Sequence, residues 1–295
     1  MAVSKRSYHV YSGELSPAWS RFLVVTRYAL GQLFQSKMFV ALYTLCAVPF
    51  LVGVAAVYFT NSSTARLLLN LNNVRFLKLD EQFFFRWLQF VGWLAALVAA
   101  YGGPNLVSPD LMHNALPLYL SRPISRAEYV LGKAAVLAAL LSAITWVPGL
   151  LLFFMQVGMS DAAWFRDYWW VGGSIVLSAL VWITVLTLVA LAISAWVRLR
   201  IVATAATLAF LFLPTAMGRT INIVLRTHWG LLLDIIYLNN RVWTALFRQN
   251  WGRLHLLFDP EPVPLSLAWV MLAAMGALCV WMLNQRLRAR EVVRG

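Results

Sequence analysis

Ionisable residues are scarce in this chain and absent from its longest apolar runs. Charged residues make up 12% of the 295 residues, whereas hydrophobic residues make up 61%. This composition excludes a soluble domain. Six apolar runs can each form a membrane-spanning helix of about 20 residues. We place these spans at 39–59, 87–107, 134–158, 171–197, 201–217 and 264–284.

None of these six runs contains Asp, Glu, Lys, Arg or His. Ionisable groups inside a membrane usually mark proton relays and ion-coupled carriers. Their absence therefore argues against a proton-driven secondary transporter. It also argues against an intramembrane hydrolase, because such an enzyme needs a base or metal ligands.

Cysteine and histidine are too few and too scattered to form a site. The two cysteines, Cys46 and Cys279, fall inside predicted spans, where we expect them only to pack. The four histidines lie in separate polar segments and form no catalytic or metal-binding motif. We therefore expect neither a catalytic site nor a metal site in this chain.

A nucleotide-binding motif is also missing. The one Gly-Lys pair, Gly132-Lys133, is followed by Ala134 and has no glycine five residues before Gly132. This is not a phosphate-binding loop. We expect no enzymatic activity and no cofactor in this chain, so a partner protein must supply any ATP-derived energy.

The positive charges that are present predict the orientation. With the N-terminus placed inside, fourteen Lys and Arg residues and four acids lie inside, against ten and seven outside. Cytoplasmic loops of membrane proteins carry this excess of positive charge. We predict a multi-pass protein of the cell inner (plasma) membrane with both termini cytoplasmic. The pI of about 10.3 fits cationic loops against anionic lipids, and we expect no nucleic-acid partner.

A polar segment, 108–133, separates the second and third spans. Ser108-Pro109-Asp110 is typical of a helix start, Arg122-Pro123 ends that helix, and Ser125 with Glu128 forms a capping box for the next span. We predict a short amphipathic helix on the cytoplasmic surface, suited to transmitting movement from a soluble partner. The candidate coupling residues are Asp110, Leu118, Tyr119, Arg122, Pro123, Arg126 and Glu128.

Simpler roles for several of these residues remain open. Asp110 and Glu128 could act only as helix caps, and Arg122, Arg126 and Lys133 could be only cytoplasmic anchors. Leu118 and Tyr119 are apolar residues on a short surface helix, which favours a groove on a partner.

The N-terminal region, 1–38, contains a second amphipathic element at 16–37. Its polar face carries Arg21, Arg27 and Lys37, and we predict a helix that lies along the inner membrane surface. An anchor and a lever beside an ATPase are equally compatible with this pattern. The candidate apolar face consists of Trp19, Phe22, Val25, Ala29, Leu33 and Phe34.

The outer segment 218–263 contains two apolar runs, 231–237 and 242–247, that are too short to span. We expect short re-entrant or surface helices, separated by a break at Asn239-Asn240, that cap the bundle and form an extracellular gate. Non-helical backbone at membrane depth must be buried in protein or line water. The candidate gate residues are Leu232, Asp234, Tyr237 and Arg241.

Three further patterns give weaker predictions. The stretch 83–87 resembles an interfacial aromatic belt, and Gly102-Gly103-Pro104 predicts a break near the end of span two. Small residues at helix-packing spacing predict close contacts in spans four, five and six. These pairs are Ser174/Ser178, Ala205/Ala209 and Ala273/Ala277.

The run from Asp110 to Lys133 resembles the corresponding region of ABC transporter permeases of the type-2 exporter class. In that family an acidic residue precedes a short helix, followed by a run similar to L-S-R-P-I-S-R and by Gly-Lys before span three. Asn114-Ala115 departs from this pattern, because the family often has Gly-Thr there. The matching positions are Asp110, Leu118, Leu120, Arg122, Pro123, Ser125, Arg126, Gly132 and Lys133.

The resemblance implies an all-α six-span permease that pairs with a second permease protomer, as a homodimer or heterodimer. Two separate ABC ATP-binding subunits on the cytoplasmic side would hold ATP and Mg. The basic tail 285–295 would also be cytoplasmic. We expect an ATP-driven exporter of an amphipathic or lipid-like substrate. The alternative is a non-transporting anchor or mechanical transducer in a multi-protein complex.

Overall fold

The computed structural model describes residues 21–62, 78–112, 126–226, 229–249 and 263–286, and these residues contain helices and no strand. Trp19, Leu118, Tyr119, Arg122 and Pro123 lie outside the described residues, as do the side chains of Phe22 and Arg126. The helices are α1 Arg21–Phe34, α2 Lys37–Leu45, α3 Val48–Asn61, α4 Glu81–Met112, α5 Arg126–Ile144, α6 Trp146–Met159, α7 Ala162–Trp196, α8 Arg200–Leu225, a 3₁₀ helix Trp229–Leu233, α9 Ile235–Leu246 and α10 Leu265–Arg286.

Six helical stretches within the described residues are long and apolar enough to cross a membrane, as predicted. The first combines α2 with α3 and the third combines α5 with α6, while α4, α7, α8 and α10 each form one span. Most of the helices extend beyond the predicted apolar runs into charged residues. A helix continues there because its backbone groups still need hydrogen-bond partners. The chain is therefore a polytopic membrane protein.

Span four, α7, lies at the centre of the bundle and packs against α4, α5, α6 and α10. In their most apolar 18 residues, 67% of α7, 61% of α4 and 56% of span three are buried. The corresponding values are only 22% for span one, 22% for α8 and 17% for α10. Spans two, three and four therefore form the core, and the other three present apolar faces outward.

Successive spans run in opposite directions, so the bundle has two ends. We call them the Asn61 end, where α3 ends and α4 begins, and the Met112 end, where α4 ends and α5 begins. Hydrogen bonds between distant parts of the chain agree with this assignment at both ends. The Trp164 indole donates to the Leu79 carbonyl at the Asn61 end, and the Ser108 hydroxyl donates to the Val197 carbonyl at the Met112 end.

The break predicted in span two is absent, and helix breaks occur in spans one and three instead. The predicted break at Gly102-Gly103-Pro104 is wrong, because α4 continues through Pro104 and Pro109. Gly103 instead allows close packing, since a Cβ there would lie 2.6 Å from the Cβ of Ala190 on α7. Breaks do occur in span one after Leu45 and in span three at Thr145. Each is followed by a proline within the first turn of the next helix, where proline is tolerated.

The aromatic stretch near the start of α4 does not form an interfacial belt. Phe84, Phe85 and Trp87 are buried in the core. The Trp87 indole also donates a hydrogen bond to the Pro49 carbonyl at 3.1 Å and so joins span two to span one. The sequence pattern could not distinguish a position at the membrane interface from one in the bundle core, because aromatic rings suit both.

Candidate functional site

A buried ion pair joins α4 and α5 at the Met112 end. The Lys133 ammonium lies 3.0 Å from Oδ2 of Asp110, and the Lys133 and Asp110 side chains are only 2% and 13% exposed. The buried Tyr129 hydroxyl donates to the same carboxylate oxygen at 2.7 Å. The Lys133 nitrogen also lies 5.6 Å from the centroid of the Tyr129 ring. We call these three residues the Asp110 cluster.

Helix geometry explains how the cluster assembles. Tyr129 and Lys133 are four residues apart on α5, so both side chains face the same neighbour. Asp110 lies in the last turn of α4, near Met112. Carboxylate, ammonium and phenol together provide charge-assisted hydrogen bonds, which are stronger than those between neutral groups.

The predicted helix start at Ser108-Pro109-Asp110 is wrong. The helix α4 continues through all three residues to Met112. The Ser108 hydroxyl donates to the Val197 carbonyl at 2.9 Å, at the C-terminal end of α7. Asp110 does not cap a new helix. Its carboxylate pairs instead with Lys133, which lies on the next helix, α5.

The first helix is attached beside the same cluster. The Thr26 hydroxyl on α1 donates to the Gly132 carbonyl at 3.0 Å, one residue before Lys133. Ala29 and Leu33 are buried against the bundle, whereas Arg27 and Phe34 are exposed. The described part of α1 therefore has one buried face and one exposed face. It packs mainly on α5.

The Asp110 cluster joins the two helices, α4 and α5, that flank segment 113–125 in the sequence. This segment follows Met112, two residues after Asp110, and precedes Arg126, the first residue of α5. Among the candidate coupling residues that the structure describes, Asp110 belongs to the cluster and Glu128 is half-buried on α5. The two spans on either side of the segment are thus joined by a charge pair.

The candidate gate residues lie at the Asn61 end of the bundle. Asp234 is 2% exposed and caps α9. Its Oδ1 accepts hydrogen bonds from the Ile236 amide at 2.9 Å, the Tyr237 amide at 3.0 Å and the Thr215 hydroxyl at 2.8 Å. One carboxylate therefore both starts α9 and binds it to α8.

The predicted break at Asn239-Asn240 is wrong. The helix α9 runs without interruption from Ile235 to Leu246, so Asp234 and Arg241 do not end two separate helices. Asn239 is buried, and the Gln89 side-chain amide of α4 donates to Oδ1 of Asn240 at 3.2 Å. Asn240 is tolerated inside the helix because its side chain binds Gln89 and does not compete for the local backbone.

Polar contacts also attach α9 to the start of α10. The Arg241 Nε donates to the Val263 carbonyl at 3.0 Å, and the Val263 amide donates to the Tyr237 hydroxyl at 3.2 Å. The Trp243 indole donates to the Ser178 carbonyl of α7 at 2.8 Å. Leu232, in the 3₁₀ helix, is half-buried. The four candidate gate residues thus lie in one packed unit on α7, α8 and α10.

Sequence reasoning missed the role of Tyr129 and assigned Lys133 no contact. The four-residue spacing of Tyr129 and Lys133 on one predicted helix was visible, and so was an acid before the intervening segment. No local pattern could show that these residues meet. Among the described residues, no group of three or more His, Cys, Asp or Glu side chains could hold a metal ion.

Comparison with known proteins does not assign a family. No protein-family model matches this chain, and no curated protein sequence is significantly similar to it. The functional argument therefore rests on the residues themselves.

Proposed function

We propose that this chain is the transmembrane permease subunit of an ATP-driven ABC exporter. Two protomers would enclose a path for an amphipathic or lipid-like substrate, and separate ATPase subunits would bind ATP and Mg. The observation that carries the proposal is the Asp110–Lys133 pair. Both residues belong to the run that resembles the type-2 exporter class, and the pair joins the two helices that flank segment 113–125.

A coupling element must be connected rigidly to the spans that it moves. The Asp110 cluster provides such a connection to α4 and α5, and Ser108 extends it to the end of α7. Packed helices and interfaces pass on small shifts as movements between discrete arrangements. In this proposal, Leu118, Tyr119, Arg122, Pro123 and Arg126 contact the ATPase, and α1 lies beside them as an interfacial helix.

The exposed apolar faces of spans one and five support an assembly of two protomers. Leu51 and Val52 on α3 and Ile201 and Val202 on α8 are more than half exposed. In a membrane such faces meet either lipid tails or another copy of the chain. We propose that spans one, two and five line the substrate path, and that the partner can be the same chain or a related one.

The packed unit around α9 supports a gate at the Asn61 end. Asn240 contacts Gln89, which lies eight residues inside α4 from its first residue. This corresponds to about 12 Å along a helix. We propose that the chain between α8 and α10 re-enters the bundle and closes the outer end of the path.

The coupling proposal is tested by replacing Leu118 and Tyr119 with Asp. Affinity purification of the parent chain from its native membrane should recover an ATP-binding subunit. The double variant should lose that subunit or lose substrate-stimulated ATP hydrolysis, because hot-spot side chains typically contribute about 2 kcal/mol or more to a contact. This corresponds to roughly a thirtyfold weaker affinity.

Leu199→Asp is the matched control. Leu199 is an exposed apolar residue just before α8, at the same end of the bundle but outside segment 113–125. Binding of the ATPase should survive this change. If Leu118→Asp/Tyr119→Asp binds the ATPase normally, segment 113–125 is not the docking site. If an ATPase binds but no substrate stimulates it, the chain is the non-transporting anchor.

A further inference from the structure

A groove between spans one and two combines an apolar wall with a cationic mouth. The groove has a volume of about 670 Å³. Its wall includes Val48 and Val52 of α3 and Phe90 of α4, and its mouth includes Lys78 and Arg86. The Trp87 indole, hydrogen-bonded to the Pro49 carbonyl, closes the groove on the side of the core.

The apolar wall is open to the surroundings of the bundle. Val52 and Phe90 are 62% and 58% exposed although both lie within membrane spans. From Arg86 at the mouth to Phe90 the wall follows four residues of α4. This corresponds to about 6 Å of helix, which lies within the hydrocarbon depth of one leaflet, about 15 Å. The groove therefore has the length and polarity that suit the part of one acyl chain nearest its head group.

The mouth of the groove carries a net positive charge. Lys78 and Arg86 are exposed, and neither has an ion-pair partner among the residues that the structure describes. Among the described residues of the lining, Asp80 is the one acid. Its Oδ1 already accepts the amide hydrogens of Gln82 at 3.1 Å and Phe83 at 3.2 Å, at the start of α4. The described lining thus carries two cations against one acid.

We propose that this groove binds an anionic phospholipid of the surrounding membrane. One acyl chain would lie along Val48, Val52 and Phe90, while the phosphate and the anionic head group would contact Lys78 and Arg86. Cations next to a membrane surface attract anionic lipids, and the apolar wall contributes by burial of the chain. This site lies within one protomer, and its test measures lipid retention and not transport.

The test measures which lipid the purified protein retains. The parent is reconstituted into nanodiscs with equal amounts of phosphatidylglycerol and phosphatidylcholine, and the lipids that remain bound after transfer to detergent are counted by native mass spectrometry. The parent should retain phosphatidylglycerol preferentially. In Lys78→Gln/Arg86→Gln this retention should weaken about thirtyfold, because each cation contributes roughly fivefold.

Two controls keep the result specific. Arg166→Gln/Arg219→Gln removes two exposed cations from the same end of the bundle that do not line the groove, and should leave lipid retention unchanged. Val52→Trp fills the apolar wall without changing charge and should displace the lipid. A thermal unfolding curve for each variant confirms that it is folded.

The proposal is overturned by any of three results. Equal retention of the two lipids by the parent would remove the role of the cations. An unchanged preference in Lys78→Gln/Arg86→Gln would place the anionic lipid elsewhere. Unchanged retention in a folded Val52→Trp variant would show that no acyl chain occupies the groove.

Discussion

At the residue scale, the Asp110 cluster contains the most consequential charges in the described part of the chain. A charge that is taken out of water is costly unless a partner of opposite charge and hydrogen bonds compensate it. Lys133 is almost completely buried, and its compensation comes from Asp110. The Tyr129 hydroxyl binds the same oxygen and keeps the carboxylate in place. Asp110 and Lys133 therefore compensate each other's charge.

This mutual dependence predicts the outcome of a double-mutant cycle. Lys133→Met and Asp110→Asn should each lower the free energy of unfolding by about 3 kcal/mol, because each leaves one buried group without its partner. The combined variant should be clearly less unstable than the sum of the two losses. The measurement is thermal or denaturant unfolding in detergent.

Lys37→Met serves as the control, since Lys37 is an exposed cation at the same end of the bundle. Its effect should stay within about 0.5 kcal/mol. Strictly additive losses in the cycle would mean that Asp110 and Lys133 do not stabilise each other.

At the element scale, the position of the 3₁₀ helix depends on a close contact between two glycines. A Cβ at Gly218 on α8 would lie 2.5 Å from the carbonyl oxygen of Gly230. The Gly230 amide in turn donates to Oδ1 of Asn222, one turn further along α8, at 2.9 Å. Because both residues are glycines, the 3₁₀ helix can lie directly on α8. The position of the 3₁₀ helix in turn sets the position of α9.

Gly218→Ala is expected to destabilise the protein, although alanine is the better helix former. The gain in helix propensity is about 1 kcal/mol, but the added methyl group would force two backbones apart, and overpacking typically costs about 1–3 kcal/mol. Amide hydrogen exchange should report faster opening of α9. Faster exchange confined to other helices would contradict this account.

Gly173→Ala is the matched control, because Gly173 lies inside α7 with nothing within 4 Å of an added Cβ. There the gain in helix propensity is not opposed. This variant should be neutral or slightly more stable than the parent.

Small residues show how the same spacing can serve two environments. Ser174 and Ser178 on α7 are buried, and the Ser174 hydroxyl donates to the Leu246 carbonyl at 2.8 Å, as close helix packing predicts. Ala205, Ala273 and Ala277 are exposed on α8 and α10. Ala209, the second member of the α8 pair, is half-buried. The faces of the three exposed alanines are therefore available to lipid or to a second copy.

At the scale of the whole molecule, orientation in the membrane determines which end meets a soluble partner. The excess of Lys and Arg predicts that the Met112 end is cytoplasmic. In that orientation the Asp110 cluster and α1 are cytoplasmic. The unit around α9 then lies outside.

Cysteine labelling with a membrane-impermeant reagent tests this orientation. Ser62→Cys, which follows α3, should be labelled in intact cells, whereas Ser125→Cys should be labelled only after the membrane is opened. The parent is the background control, because its cysteines, Cys46 and Cys279, are both buried. The opposite labelling pattern would place segment 113–125 outside and remove the basis of the coupling proposal.

The sequence by itself was sufficient for the six spans and for the buried face of α1 at Ala29 and Leu33, whereas Phe34, predicted on the same face, is exposed. Hydropathy and helical periodicity are local properties, so a window of about 20 residues contains the information that decides them. The ends of the helices were predicted less well. Polar residues such as Ser108 and Asp110 end an apolar run in the sequence. They do not end the helix, because neighbouring segments of the bundle bind their side chains.

Tertiary structure alone decided which residues meet. Trp87 contacts Pro49, 38 residues away, and Trp182 contacts the Gly92 carbonyl, 90 residues away. No local pattern contains such pairs. The same is true of the buried Asp110–Lys133 pair, the continuous α9 and the groove below Arg86. A charged or aromatic side chain has several environments that suit it equally well, and only the packing of distant helices selects one of them.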